Sequence, residues 1–306
     1  MNNISVLNFF EQLKDFNNIT FISKININNI DIDIKFVRKK PDNKTIVVYF
    51  QGALPLNKIK SKEHPIFFEP KINENLLIIS DPFYKDVMNI SEVLLLNLSI
   101  SSWYTPLQNS LEELLKETQN EFKFEKFIFI GGSSGGFAAL YNSYFIDNSI
   151  CITFNPQINI VNYLTKLKNT CQTKLDDIIN KMIETKQMDL ISLYQNGSTN
   201  NIIYVVNNMS LNDIHHSVPF MYKTVMSKLY KKNFIFKFDF WGKHGHRRSI
   251  PDNEYTLWIE ASIMSKSCGV EDISDCYWRL KNNIIKDIET NDISDRIAKH
   301  NINENK

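Results

Sequence analysis

Neither sign of charge is in excess. Thirty-five Lys and Arg stand against 34 Asp and Glu, a formal net charge of +1. A nucleic acid or an anionic membrane surface calls for a basic excess, so neither is expected as a partner. Cysteine is scarce as well. Cys151, Cys171, Cys268 and Cys276 lie apart without C-x-x-C spacing, which suits reduced thiols in a cytoplasm rather than a disulfide framework. No apolar run approaches the roughly 20 residues of a membrane span. The stretch from Met1 to Ser5 lacks a basic segment followed by an apolar one, so no secretory signal is visible. The expectation is a soluble, cytoplasmic chain. Internal repeats and low-complexity linkers are also missing. Glycine is sparse, nine in 306 residues, yet four of the nine fall within positions 131–136.

What is present suits a folded α/β chain, with 43% hydrophobic and 23% charged residues. Helical spacing of Val6, Leu7, Phe9, Phe10, Leu13 and Phe16 predicts a short amphipathic helix over 5–16. From Phe21 to Phe36 the period becomes two, and its phase flips across Asn28-Asn29. A two-residue turn there pairs Ile27 with Ile30 and Ile25 with Ile32, a hairpin at a sheet edge. Continuous apolar runs at 45–50, 76–79, 94–96, 127–130, 150–154, 201–206 and 234–240 read as strands, mostly buried on both faces. Helical patterns at 107–120, after 136 and at 217–230 alternate with them, with a polar loop expected over Ser210–His216. The implied fold class is α/β, one mainly parallel sheet with helices on both faces. A single domain over 1–306 is expected. Within it, 160–195 is expected as a helical cap insertion and 263–306 as a C-terminal helical extension.

The glycine cluster sits where an apolar run, Phe127 to Ile130, meets a helix start at Phe137-Ala138-Ala139-Leu140. Gly132-Ser133-Ser134-Gly135-Gly136 reads as G-x-S-x-G centred on Ser134. This spacing suits a strained strand-to-helix turn that exposes a nucleophilic hydroxyl. Residues two before and two after must be nearly free of side chain, a need assigned here to Gly132 and Gly136. The Gly135 N–H then faces a developing oxyanion at the positive end of a helix. A dinucleotide loop needs G-x-G-x-x-G, which no register supplies. A P-loop from Gly131 needs lysine where Phe137 stands.

A serine hydroxyl needs a base, and the base needs a third group to orient it. Ser134 follows one strand, Asp213 the next but one and His246 the last, in the order nucleophile, acid, histidine. Asp213 also suits a loop or helix cap, and His244 competes with His246. Trp103 and Tyr104 suit stacking on a sugar or a place in the core. His215-His216 and His244-Gly245-His246, with Asp213, could supply zinc ligands. Neither pair has the i, i+4 spacing of H-E-x-x-H, and a zinc site leaves the serine turn unexplained. No metal is expected. A binding module that keeps the fold without catalysis is the other alternative.

On these residues the chain resembles an α/β-hydrolase, with Gly132-Ser133-Ser134-Gly135-Gly136 as the nucleophile elbow, over most of 20–262. Gln51-Gly52-Ala53, Asn155-Pro156-Gln157 and Asp213 with His216 are similar to a bacterial subgroup tied to capsule and surface-polysaccharide biosynthesis, where serine-triad O-acetyltransferases occur. The resemblance implies Ser134 as nucleophile, His246 as base and Asp213 as its orienting acid. It implies a second oxyanion N–H from Gly52-Ala53, and Asn155 and His216 near the substrate. The implied activity is acyl transfer or ester hydrolysis on a glycan or small molecule. Acetyl-CoA is the candidate acyl donor and no cofactor is held permanently.

Overall fold

The computed structural model describes residues 3–4, 19–27, 30–52, 65, 67, 69–80, 105–159, 189–195, 197–226, 233–241 and 252–284. Outside these lie the expected helix at 5–16, the strand at 94–96, most of the expected insertion (160–188) and the last residues of the C-terminal extension (285–306).

Among the described residues one nine-stranded sheet organises the chain. Its strands are β1 (Asn3–Ile4), β2 (Ile19–Ile27), β3 (Ile30–Arg38), β4 (Thr45–Phe50), β5 (Asn75–Ile79), β6 (Lys126–Gly132), β7 (Ile150–Phe154), β8 (Asn201–Asn207) and β9 (Phe234–Asp239), in the spatial order 1-2-3-5-4-6-7-8-9. From β5 through β9 every neighbouring pair is parallel. The β2–β3 hairpin has the expected register, Ile27 opposite Ile30 and Ile25 opposite Ile32, and joins the sheet by antiparallel pairing of β3 with β5. The carboxyl ends of β4, β6, β7, β8 and β9 therefore open along one edge, where ligands bind in sheets of this kind.

Strands buried on both faces require two cores. On one face, Ile46, Val48, Phe127 and Phe129 pack with helix α1 (Thr105–Phe122) through Leu111, Leu114 and Leu115. Helix α2 (Ser134–Tyr144) joins them through Phe137 and Leu140. The short α3 (Leu190–Tyr194) and α4 (Leu211–Met226) complete that layer through Tyr194 and Phe220. On the other face, Val47, Ile128, Ile130 and Ile152 meet α5 (Asp252–Met264) and α6, helical over 270–284, through Trp258, Ile273 and Tyr277.

Two expectations change. The segment 211–216 is helical rather than a polar loop, because Ser210 sits just before α4 and its Oγ accepts the Asp213 N–H at 3.3 Å. That is the hydrogen bond of a serine N-cap. At the end of the expected insertion, α3 is part of the main core: Leu190 is buried, and the Tyr194 hydroxyl donates to the Leu140 carbonyl at 2.7 Å. The described chain on either side of residues 160–188 meets at one point, since Asn159 and Asp189 form an antiparallel bridge.

Candidate active site

The turn between β6 and α2 is built around Ser133. Its φ of 55° and ψ of −121° place a non-glycine residue in sparsely populated backbone space between a buried strand and a buried helix. Such strain persists only where the surroundings over-determine it. Here the Ser133 N–H donates to the Phe154 carbonyl at 2.9 Å. The Ser133 carbonyl accepts from Gly136, Phe137 and Gln157 at 3.1, 3.2 and 3.1 Å.

This corrects the placement of Ser134. That residue begins α2 and is 3% exposed, and its Oγ has no hydrogen-bond partner among the described residues. Ser133, on the turn itself, is the more exposed of the two serines. The glycines agree with the shift. A Cβ on Gly131 would lie 2.1 Å from the Gly135 carbonyl oxygen, and one on Gly135 would lie 2.3 Å from the Phe50 carbonyl oxygen. At Gly132 the nearest atom would be 3.4 Å away, an ordinary contact. The two glycines that the turn needs are thus Gly131 and Gly135, two residues on either side of Ser133. Gly136 is required for another reason: its Cβ would meet Thr153 Oγ1 at 2.4 Å, where α2 presses against β7. The letters Gly131-Gly132-Ser133-Ser134-Gly135 carry the same G-x-S-x-G spacing one residue earlier. That overlapping frame is the signal which would have found Ser133.

The start of α2 presents N–H groups towards the same edge. The first N–H groups of a helix have no intrahelical acceptor. Those of Gly136 and Phe137 turn back to Ser133, which leaves the positions of Ser134 and Gly135 at the head of the helix, its positive end. Gly52, beyond β4, comes against the turn. A Cβ there would lie 2.7 Å from the Gly132 carbonyl oxygen and 3.7 Å from Ser133 Cβ. Its neighbour Ala53 lies outside the described residues, as do Trp103, Tyr104, His244 and His246.

Asn155 has φ of 45° just beyond β7 and is 6% exposed. Its Oδ1 accepts the Asn207 N–H at 2.8 Å, and its own N–H donates to the Val205 carbonyl at 2.9 Å. The expected substrate ligand therefore ties β7 to β8, a structural duty the sequence did not announce. From there the connection continues to Asp213. The Ser210 N–H donates to the Asn207 carbonyl at 3.1 Å, and Ser210 caps the turn of α4 that holds the carboxylate, 1% exposed. An acid in the first turn of a helix is favoured by the helix dipole. His216 is half-buried, and its Nδ1 accepts the Ile158 N–H at 3.4 Å, leaving Nε2 to carry the proton of the neutral ring. Since Gln157 binds Ser133 and Ile158 binds His216, two consecutive amides connect the turn to α4.

Other reactive groups are silenced by burial. Cys151 is fully buried and its thiol is pushed up to about 12. Burial also raises Tyr49, and raises Tyr255 well above the usual phenol value, with Tyr49 beside it contributing. Both phenols stay protonated at neutral pH. Tyr255 packs on Phe154, whose carbonyl holds Ser133, with ring centroids 5.2 Å apart.

The sequence matches no protein-family model and no curated protein. In three dimensions the chain is similar to the capsule O-acetyltransferase of Neisseria meningitidis serogroup A, with TM-score 0.53 and 16% identity, over 83% of this chain and 98% of that one. A mutant of that enzyme in complex with CoA gives TM-score 0.51 at 15% identity, over 83% and 100%. The uncomplexed acylaminoacyl peptidase of Pyrococcus horikoshii gives 0.56 at 10% identity, over 87% and 46%. Prolyl oligopeptidase B from Galerina marginata, bound to a 35mer hydrolysis and macrocyclization substrate, gives 0.51 at 10% identity, over 85% and 37%. The chain thus spans less than half the length of the two peptidases and nearly the whole acetyltransferase. Identities this low speak for the fold alone. Together with the parallel sheet order and the turn from β6 into α2, they show an α/β-hydrolase-like fold.

Proposed function

We propose that the protein is a serine-dependent acyl-transfer enzyme in which Ser133, rather than Ser134, is the nucleophile. The observation that carries this reading is the strained Ser133 backbone between β6 and α2, held by Gly131 and Gly135. An elbow of that shape lifts one hydroxyl above the sheet edge, beside the positive end of a helix. His246 is the base that takes the Ser133 proton as its Oγ bonds to the acyl carbonyl carbon. Asp213 orients the imidazole and stabilises its charged form. The tetrahedral oxyanion is received by the Ser134 N–H, in the place first expected for Gly135, and by the Gly52-Ala53 loop. Collapse expels the leaving group, which takes the proton from His246, and leaves an acyl-Ser133 ester. A second hydroxyl, activated by the same base, then takes the acyl group.

Acetyl-CoA is the proposed donor and a carbohydrate hydroxyl the proposed acceptor. Support comes from the near whole-chain likeness to an acetyltransferase that has been seen with CoA. The insertion at 160–188, rooted beside the elbow by the Asn159–Asp189 bridge, is the proposed cover that keeps water from the ester. His216, at that root, and Trp103 and Tyr104 are proposed to meet the acceptor. The whole chain is proposed to act as one cytoplasmic domain.

The test is to incubate the protein with acetyl-CoA, with and without oligosaccharides, and to follow three products: acetyl on the Ser133 peptide, acetylated glycan and free acetate. Acetyl on Ser133 that is lost in Ser133→Ala but kept in Ser134→Ala, with glycan product exceeding free acetate, is the expected result. Acetate released at one rate whatever acceptor is present would make the protein an esterase. Labelling lost only in Ser134→Ala would return the nucleophile to Ser134.

A further inference from the structure

The cross-strand row that ends at the elbow leads to a second polar cluster. Gly132 pairs with Phe154, Phe154 with Val205, and Val205 with Lys237 on β9. On the α5 face Lys237 Nζ binds Glu254 Oε1 and lies 3.1 Å from Asp239 Oδ2. The Tyr277 hydroxyl, from α6, lies 2.8 Å from Lys237 Nζ and donates to Glu254, whose Oε1 and Oε2 lie 2.8 and 3.0 Å away. Trp258 Nε1 donates to Glu254 Oε1 at 3.0 Å, and its ring stacks on Tyr277 with centroids 3.9 Å apart. Glu254 is 7% exposed. A buried carboxylate with three donors on it, and Lys281 Nζ 3.7 Å from its Oε2, is rigid, and a buried ion pair is weak as a source of stability compared with apolar packing.

Its position in the chain suggests what that rigidity serves. Lys237 and Asp239 stand in the last residues before 242–250, and Glu254 stands in the first turn after that segment. The Lys237–Glu254 contact closes the chain on both sides of His246. We propose that Glu254, with Lys237 and Tyr277, is a positioning unit for the base, fixing the spacing of the two ends of the segment that carries His246. This rests on the proposed role of His246. The cluster touches no reacting atom; it acts by limiting where the imidazole can stand relative to Ser133. Misplacing a catalytic group by about 1 Å can cost on the order of 100-fold in rate.

The test uses the full chain and a fluorophosphonate probe, with the labelling rate of Ser133 measured across pH in wild type, Glu254→Gln, Tyr277→Phe and His246→Ala. Tyr277→Phe keeps the ring on Trp258 and removes only the bridging hydroxyl, so it serves if Glu254→Gln fails to fold. The expected result is a labelling rate at least about tenfold lower in the folded variants. The apparent pKa of the profile should also move, because the base no longer meets the serine in the same way. Variants that melt lower but keep the wild-type pH profile and labelling rate would overturn the proposal and leave the cluster a plain brace for α6. A His246→Ala protein with the wild-type profile would bring down the triad reading, and this inference with it, a different outcome from an unchanged profile in the cluster variants alone.

Discussion

Gly131 and Gly135 meet across the turn so closely that a Cβ on the first would stand 2.1 Å from the carbonyl oxygen of the second. Nothing larger than hydrogen fits between strand end and helix start, and Ser133 is left at the apex with its φ of 55°. The contact accounts for the sharpness of the turn and for which of the two serines stands out from it.

Gly131→Ala should therefore destabilise the protein by roughly 1–3 kcal/mol, the usual penalty of overpacking, or prevent folding altogether. Gly132→Ala, with its nearest atom at 3.4 Å, should cost well under half as much. Denaturant unfolding of the two variants checks this. Equal losses would mean that both glycines brace the turn and would weaken the case for Ser133 at its apex.

The base is expected to be His246. His246→Ala should lower kcat by about 10⁴-fold, the scale of a lost triad member, whereas His244→Ala should leave most turnover. Initial rates on an activated acetyl ester distinguish them, and the opposite ranking would move the base two residues upstream. Dialysis against a strong chelator belongs to the same experiment. Activity lost there and restored by zinc would favour the histidine pairs as metal ligands over the serine turn.

Lys237 supplies a pH signature. Burial opposes its charge, but hydrogen bonds with Glu254 and Tyr277 outweigh that and hold its pKa above the ordinary lysine value. A pKa raised by folding contributes stability fully present below the unfolded value, about 10.4, and lost as pH rises through the folded value. Lys237→Met should therefore lower the melting temperature by about 2–4 °C near neutrality, and the gap should close as pH climbs beyond that point. A gap unchanged in strong alkali would assign the effect to packing of the lysine stem.

Much of this fold is set by local pattern. Period-two alternation with a phase flip at Asn28-Asn29 specifies the hairpin, since a one-residue slip would turn Ile25 and Ile32 to the wrong face. The apolar runs at 45–50, 127–130, 150–154 and 201–206 had to be strands covered on both sides, because no solvent-facing residue interrupts them. The sharp turn itself was visible, since glycine gathers where a strand turns into a helix. The helical start at 211 was missed because a serine cap and a polar first turn look like loop in the letters alone.

Which serine stands at the apex was left to tertiary structure. The letters hold two overlapping G-x-S-x-G frames, and periodicity cannot choose between them, because both place a serine after the same strand. The choice falls to contacts between distant elements. Phe50 and Gln51 at the end of β4 leave no room for a Cβ at Gly135, and Thr153 in β7 and Pro156 beyond it leave none at Gly136. These neighbours fix where α2 can begin, and so bury Ser134 inside its first turn and leave Ser133 at the strained position before it. The same holds for Asn155, whose side chain ties β7 to β8, and for Lys237, Glu254 and Tyr277, which no spacing rule connects. Sequence pattern reports what each segment needs from its surroundings. Only packing between segments decides which neighbour supplies it.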